Sequence, residues 1–182
     1  MPGRLVHIVL PVAAIAAVPA AVLGAQYLTV EQAQKSAFPE ADRFVPLPLR
    51  LTPQQAESVT KATGLRVRDP QLRLWIAMKD SRILGHVFVD EVLGKHEFIT
   101  YALAVSPAGG VLAVEILDYR ESYGGEVRDP QWLRQFAGKT ASAPLKLDDD
   151  IRNISGATLS CRHVTDGVKR LLATHDLVVR AH

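Results

Sequence analysis

A single cysteine, Cys161, excludes an internal disulfide and every metal or iron–sulfur site built from several thiolates. The run Cys-x-x-Cys-His is missing, so no c-type haem is attached through it. Charge of one sign is missing too, since 21 basic and 19 acidic residues leave a formal net charge of +2. Aromatics make up only 6% of the chain and do not interleave with a basic stripe, which argues against a nucleic-acid partner. Gly-x-Ser-x-Gly, His-Glu-x-x-His, the P-loop and the dinucleotide fingerprint are all absent. Direct NAD binding by this chain is therefore not expected. No period repeats along it.

What is present is enough hydrophobic material, 48% of 182 residues, for one packed domain plus an appendage. The appendage lies at the start. Leu5 to Ala25 is almost wholly apolar and follows Arg4. A run of about 20 such residues can span a bilayer. Pro11 and Pro19 weaken it as a straight helix, and a cleaved secretory signal is the rival. An uncleaved anchor is favoured because Leu23 would fill the −3 position of a cut after Ala25, where a small residue is preferred. With Arg4 inside, the rest of the chain lies outside the cytoplasm. The expected division is 1–29 as anchor or signal, 30–50 as stalk and 51–182 as the domain.

Val30 to Ala37 fits a short helix ended by Phe38-Pro39, and Pro39, Pro46 and Pro48 then imply an extended connector. Thr52 and Pro53 open a second helix that Gly64 closes. From Leu72 the period changes to alternation. Four strands are expected, near 72–79, 83–92, 98–105 and 111–118, joined as two successive hairpins. Helices before and after this meander make the class α+β.

Two later stretches carry the functional signal. In the first, Ser155-Gly156-Ala157-Thr158 precedes an amphipathic helix whose apolar face holds Cys161, Val164, Val168, Leu171 and Leu172. A helix start offers unpaired N–H groups and the positive end of the macrodipole, a natural seat for phosphate. The plain alternative is that Ser155 or Thr158 caps the helix. The second stretch, Tyr119 to Lys139, places Gly124-Gly125 in a loop ahead of a helix bearing Trp132, Leu133 and Phe136. Bare main chain at adjacent glycines suits a flat ring, although Gly-Gly is also a common turn.

These blocks, with Gly94-Lys95-His96-Glu97 and the strand from Phe98, resemble the FMN-binding domain family. That family includes flavin-carrying subunits of Rnf-type and sodium-pumping NADH:quinone oxidoreductase complexes. The resemblance runs from about Leu72 to Leu172 and implies FMN as cofactor. It implies that Thr158 carries FMN through a phosphoester installed by a separate flavin transferase, with Ser155, Gly156 and Ala157 shaping the turn. It also implies that Glu121, Ser122, Gly124 and Gly125 border the ring. The family's transferase motif often has an aspartate three residues before the serine, where this chain has Arg152. Its glycines are commonly separated by one residue, and here they are adjacent.

The function implied is an electron relay at the bacterial inner membrane, single-pass, its soluble domain periplasmic and docked on a membrane redox complex. The alternatives are a non-covalent FMN reductase and a membrane-tethered interaction module without flavin. No catalytic acid or nucleophile is required, and no metal is expected. Several other side chains have a bland reading that outweighs the functional one. Lys139 and Lys95 could offset phosphate charge but are more simply solvated. His96 and His163 could relay protons but are more simply surface residues. Trp132 and Phe136 could stack on the ring but suit the core. Asp148, Asp149 and Asp150 could hold Mg²⁺ but read as a solvated loop.

Overall fold

The computed structural model describes residues 25–181. Leu5 to Gly24 of the apolar run read as an anchor lie outside the described residues. Among the described residues no helix is long and apolar enough to cross a membrane.

The chain enters through a two-residue strand, β1 (Ala25–Gln26), and turns into α1 (Val30–Ala37). Thr29 and Gln32 start that helix with reciprocal bonds, side chain to main chain in both directions. Pro39, Pro46 and Pro48 keep the next stretch extended, and the extended backbone is used. β2 (Arg43–Pro46) pairs antiparallel with β4 (Gln71–Lys79), and β3 (Leu49–Arg50) pairs with the start of β4. Pro46 is tolerated because β2 is an edge strand. Residues 30–50, expected as a stalk, thus supply a helix and two strands to the sheet. Between β3 and β4, α2 (Pro53–Thr63) begins at a Thr52–Gln55 capping box and ends at Gly64.

The alternating stretches become long strands in the expected places: β4, then β5 (Arg82–Leu93), β6 (Phe98–Val105) and β7 (Val111–Tyr119). All pairings are antiparallel, in the order β1-β7-β6-β5-β4-β2. Both faces of the sheet are covered, so the middle strands are buried on consecutive residues rather than alternate ones. On one face Phe88, Ile99, Leu103 and Ile116 meet Trp132, Phe136 and the apolar side of the long helix that follows. On the other, Ala33 and Phe38 pack over Ala77, Val87, Ala102 and Ala104. Small side chains on that face let the short α1 lie close.

After β7 come a 3-10 turn (Gly125–Arg128), the one-turn α3 (Pro130–Leu133) and a second 3-10 turn (Arg134–Phe136). Trp132 and Phe136 pack edge to face, 5.3 Å between ring centres, and both are buried. They belong to the core, as their helix-face spacing favoured. α4 (Thr158–Leu177) then crosses the first face. At Gly167 a Cβ would run into Tyr101 Oη, so only glycine lets α4 lie this close to β6.

Candidate functional site

α4 starts without a side-chain cap. Its N-cap position is Ala157, so neither Ser155 nor Thr158 takes the capping role that the plain reading gave them. The first bond of the helix runs from Cys161 N–H to the Ala157 carbonyl at 2.9 Å. The N–H groups of Thr158, Leu159 and Ser160 precede it and have no intrahelical acceptor. The aligned peptide dipoles behind them favour negative charge at this end. Gly156 makes the approach possible by adopting φ +87°, a conformation other residues rarely take. A Cβ at Gly156 would meet nothing within 4 Å, so open space adjoins the turn. Ser155 is exposed beside it, and Thr158 is half-buried.

The Thr158 hydroxyl is therefore neither sealed in the core nor spent on the helix. It has one contact, accepting a hydrogen bond from Asn153 Nδ2 at 3.2 Å. The segment carrying Asn153 is held from behind. Trp132 Nε1 donates to the Arg152 carbonyl at 2.7 Å, and Arg152 N–H donates to Gln135 Oε1 at 2.8 Å.

The Gly124 loop reaches this turn from β7. Gly124 sits at φ +80°, and a Cβ there would lie 2.9 Å from Tyr119 Oη and 3.2 Å from Ala157. The two stretches singled out in the sequence, 33 residues apart from Gly124 to Ala157 by position, meet at this contact. Tyr119 clamps them. Its hydroxyl donates to the Tyr123 carbonyl at 2.5 Å and lies 3.4 Å from Ser160 Oγ on the first turn of α4. Burial pushes the Tyr119 hydroxyl up, which keeps it a donor at neutral pH. Arg128 donates to the Gly125 carbonyl at 3.0 Å and lies over the Tyr27 ring, 4.1 Å from its centre.

The remaining residues of the expected site are placed differently. Glu121 engages its carboxylate in the Gly94–Glu97 turn, where it accepts from His96 N–H at 2.5 Å and Glu97 N–H at 3.1 Å. Burial acts to raise its pKa, but the N–H groups of His96, Glu97 and Lys95 outweigh it, and the carboxyl sits below its ordinary value. His96 adds an ion-pair contact at 3.5 Å when protonated. Ser122 is exposed, as is Lys95. His163 contacts the Leu93 carbonyl through Nδ1, tying α4 to the end of β5.

Lys139 is not solvated. It pairs with Asp150 at 2.8 Å, both half-buried. Asp150 also accepts from Leu145 and Lys146 N–H, at 3.2 and 2.8 Å. One member of the acidic run is thus a turn-forming anchor with its own cation, which is why it is drawn out of solvent. Among the described residues no group of three or more His, Cys, Asp or Glu side chains is arranged to hold a metal ion. Cys161 is fully buried on the apolar face of α4, and burial pushes its thiol up.

Sequence pattern alone does not reveal Asn153, Tyr119 or Ser160. Asn153 lies five residues before Thr158, and its reach depends on the turn at Gly156, which no periodicity reports. Tyr119 reads as the end of a strand, and only the return of α4 beside it makes it a clamp.

Residues 94–173 match the family model described as FMN-binding domain. Over that segment the chain is similar to FMN-binding domains. The segment takes in the Gly94 turn, β6, β7, the Gly124 loop and α4 as far as Ala173. The fold is also similar to two solved structures. NqrC of Shewanella oneidensis is 16% identical, with a TM-score of 0.50, over 80% of this chain and 88% of that one. A subunit of the Na(+)-translocating NADH-quinone reductase of Parabacteroides distasonis is 14% identical, with a TM-score of 0.50, over 82% of this chain and 83% of that one. No curated protein sequence matches the chain. The cofactor of the domain is FMN, and the uncapped helix start, the open space at Gly156 and the exposed flank of Thr158 fit a phosphate-bearing ligand.

Proposed function

We propose that this chain is an electron-transfer protein that carries FMN esterified through its phosphate to Thr158 Oγ1. A separate flavin transferase attaches the group, and Leu5 to Ala25 anchors the chain so that the domain faces the extracytoplasmic side. Its partner is a membrane redox complex, a reading supported by the fold shared with a subunit of the sodium-translocating reductase of Parabacteroides. The observation that carries the proposal is the Thr158 hydroxyl itself, half-buried at an uncapped helix start and engaged by Asn153 alone.

When bound, FMN supplies the redox chemistry, taking two electrons from one partner and passing them singly to another. The chain's residues hold and orient it. The N–H groups of Thr158, Leu159 and Ser160 would hold the phosphate, where the helix dipole would offset its negative charge. Gly124, with Tyr119 and Ala157 behind it, fixes the neighbouring loop against the same turn. Ser155 and Ser122 stand exposed on either side.

The test is to produce the full chain together with a flavin transferase, denature it and look for flavin fluorescence that stays with the polypeptide. Wild-type protein retains the signal and Thr158→Val loses it. Retention in the variant refutes the anchor. A second reading, FMN held without a covalent bond, is favoured by Arg152 at the position where the family often has aspartate. In that case the yellow colour leaves on acid precipitation of the wild type.

A further inference from the structure

Among the described residues three buried side-chain atoms lack any hydrogen-bond partner: Asp118 Oδ1, His175 Nδ1 and Asn153 Oδ1. The third belongs to the side chain that holds Thr158. A buried amide that leaves its carbonyl unpaired gives up free energy, because the group has lost water and gained nothing. Asn153 nonetheless directs its NH₂ end at Thr158 Oγ1.

Turning the amide over would place Oδ1 against Thr158, where it would accept the hydroxyl proton. That arrangement serves a free threonine and fails once the oxygen carries phosphorus. An ester oxygen has lone pairs and no hydrogen, so an acceptor beside it would face repulsion from the phosphate. A donor serves both states. Nδ2–H can bond to the hydroxyl oxygen before attachment and to the same oxygen afterwards. The donor end is also the one that favours nearby negative charge.

We infer that Asn153 is the positioning residue of Thr158, acting as a hydrogen-bond donor that fixes Oγ1 before and after the flavin phosphate is attached. The inference rests on the reading that Thr158 carries the phosphate. The frame behind Asn153 supports it. Arg152 is bonded on both sides, by Trp132 and by Gln135, so the next side chain is delivered from a fixed backbone. In attachment, the Thr158 O–H bond breaks and an Oγ1–P bond forms to a flavin nucleotide, the class of donor the transferase must supply. The donor must be a phosphoanhydride of FMN: its P–O bond to the second phosphate breaks, that phosphate leaves with the electron pair, and the hydroxyl proton passes to solvent or transferase. Asn153 exchanges no proton or electron in this step.

The test compares full-length wild type, Asn153→Ala, Asn153→Asp and Thr158→Val, each produced with the transferase. Flavin retained after denaturation should fall about 3- to 10-fold in Asn153→Ala and at least about 10-fold in Asn153→Asp, because a carboxylate cannot donate and repels phosphate. Binding of added FMN to unflavinylated Asn153→Asp should recover, relative to wild type, as pH drops and the carboxyl gains a proton to donate. A merely structural role would not produce that recovery. An independent measurement needs no variant at 153. In ¹⁵N-labelled unflavinylated protein the Asn153 side-chain amide protons should be protected from exchange, and Thr158→Val should remove that protection. Attachment in Asn153→Asp equal to or above wild type, or an unprotected amide, overturns the inference. If Thr158→Val keeps its flavin, the Thr158 reading fails instead, whatever Asn153 does.

Discussion

Near its C-terminal end α4 is packed into the core on the side that faces the sheet, while Asp176 and Leu177 are exposed on the other. Thr174 and His175 are buried, Thr174 donates back to the Arg170 carbonyl at 2.9 Å, and Val178 and Val179 pack beneath. His175 is wholly enclosed against His86, 3.1 Å away, with Phe88 edge-on. At its N-terminal end the same helix has no cap, an exposed glycine beside it and a threonine open to solvent on one flank. A helix needs packing along its length for stability, not favourable chemistry at both termini. The packed end holds α4 to the sheet, and that leaves the other end free to keep its N–H groups without a side-chain cap. The contrast can be broken or sharpened by changes at either end.

The largest effect is expected at the seam beside the open end. Gly124→Val puts a β-branched residue at φ +80° and drives its side chain into Tyr119 Oη and Ala157. Strain and collision together should cost about 3 kcal/mol or more. Denaturant unfolding of the unflavinylated protein would show the loss. Flavin content should fall with it, because displacing Ala157 moves Thr158. A variant of wild-type stability would mean that the loop and α4 are not packed as described.

The packed end should fail in acid. Burial, with His86 and Arg180 adding to it and Asp176 opposing, lowers the pKa of His175 from 6.5 to about 4. Burial lowers His86 as well. The folded value lies below the unfolded one, so the unfolded chain binds the proton first. The stability that neutral His175 contributes is complete above pH 6.5, falls as pH drops through that value and stops falling below about 4. The interval corresponds to roughly 3 kcal/mol. Unfolding measured from about pH 7.5 to 4 should show this slope in the wild type and a flatter one in His175→Leu. An equal slope in both would assign the acid sensitivity elsewhere.

Most of this fold was legible from local pattern. The alternation from Leu72 to Tyr119 gave four strands, and Thr52, Pro53 and Gly64 marked the ends of α2. The pairing of β2 with β4 was not legible, because Pro46 and Pro48 carry the same signal in a free connector and in an edge strand. Burial on both faces also hid the role of α1, since Ala77, Ala102 and Ala104 look undistinguished until a helix lies on them. At the site, Ser155 to Thr158 and Gly124-Gly125 were readable as separate turns. Their contact was not, because it depends on the sheet bringing the end of β7 beside the start of α4. Lys139 misled for the same reason: its partner Asp150 is set by a turn, not by spacing along a helix.

A smaller effect should follow at the support behind the open end. Glu121→Ala frees the N–H groups of His96 and Glu97, which lie in an exposed turn and can bond to water instead. The cost should be about 1 kcal/mol. Glu121→Gln keeps an acceptor oxygen and should lose less. Because the Glu121 carboxyl is held below its ordinary value, its contribution is present above pH 4.5 and lost below that. Thermal unfolding of the two variants at neutral pH would rank them.

The smallest change in stability is expected at Thr158, the residue proposed to carry the flavin. Thr158→Val keeps the shape and the β-branch of the side chain at the first position of α4. The hydroxyl it removes caps no N–H group and accepts one bond, from Asn153. Unflavinylated protein should therefore lose about 1 kcal/mol or less, while covalent flavin disappears. Had Thr158 been the cap, the same substitution would strip an acceptor from the helix start and cost as much as caps usually do, up to about 2 kcal/mol. Stability and flavin content measured on one preparation separate the two roles. A large stability loss with flavin retained would make this end of α4 as structural as the other.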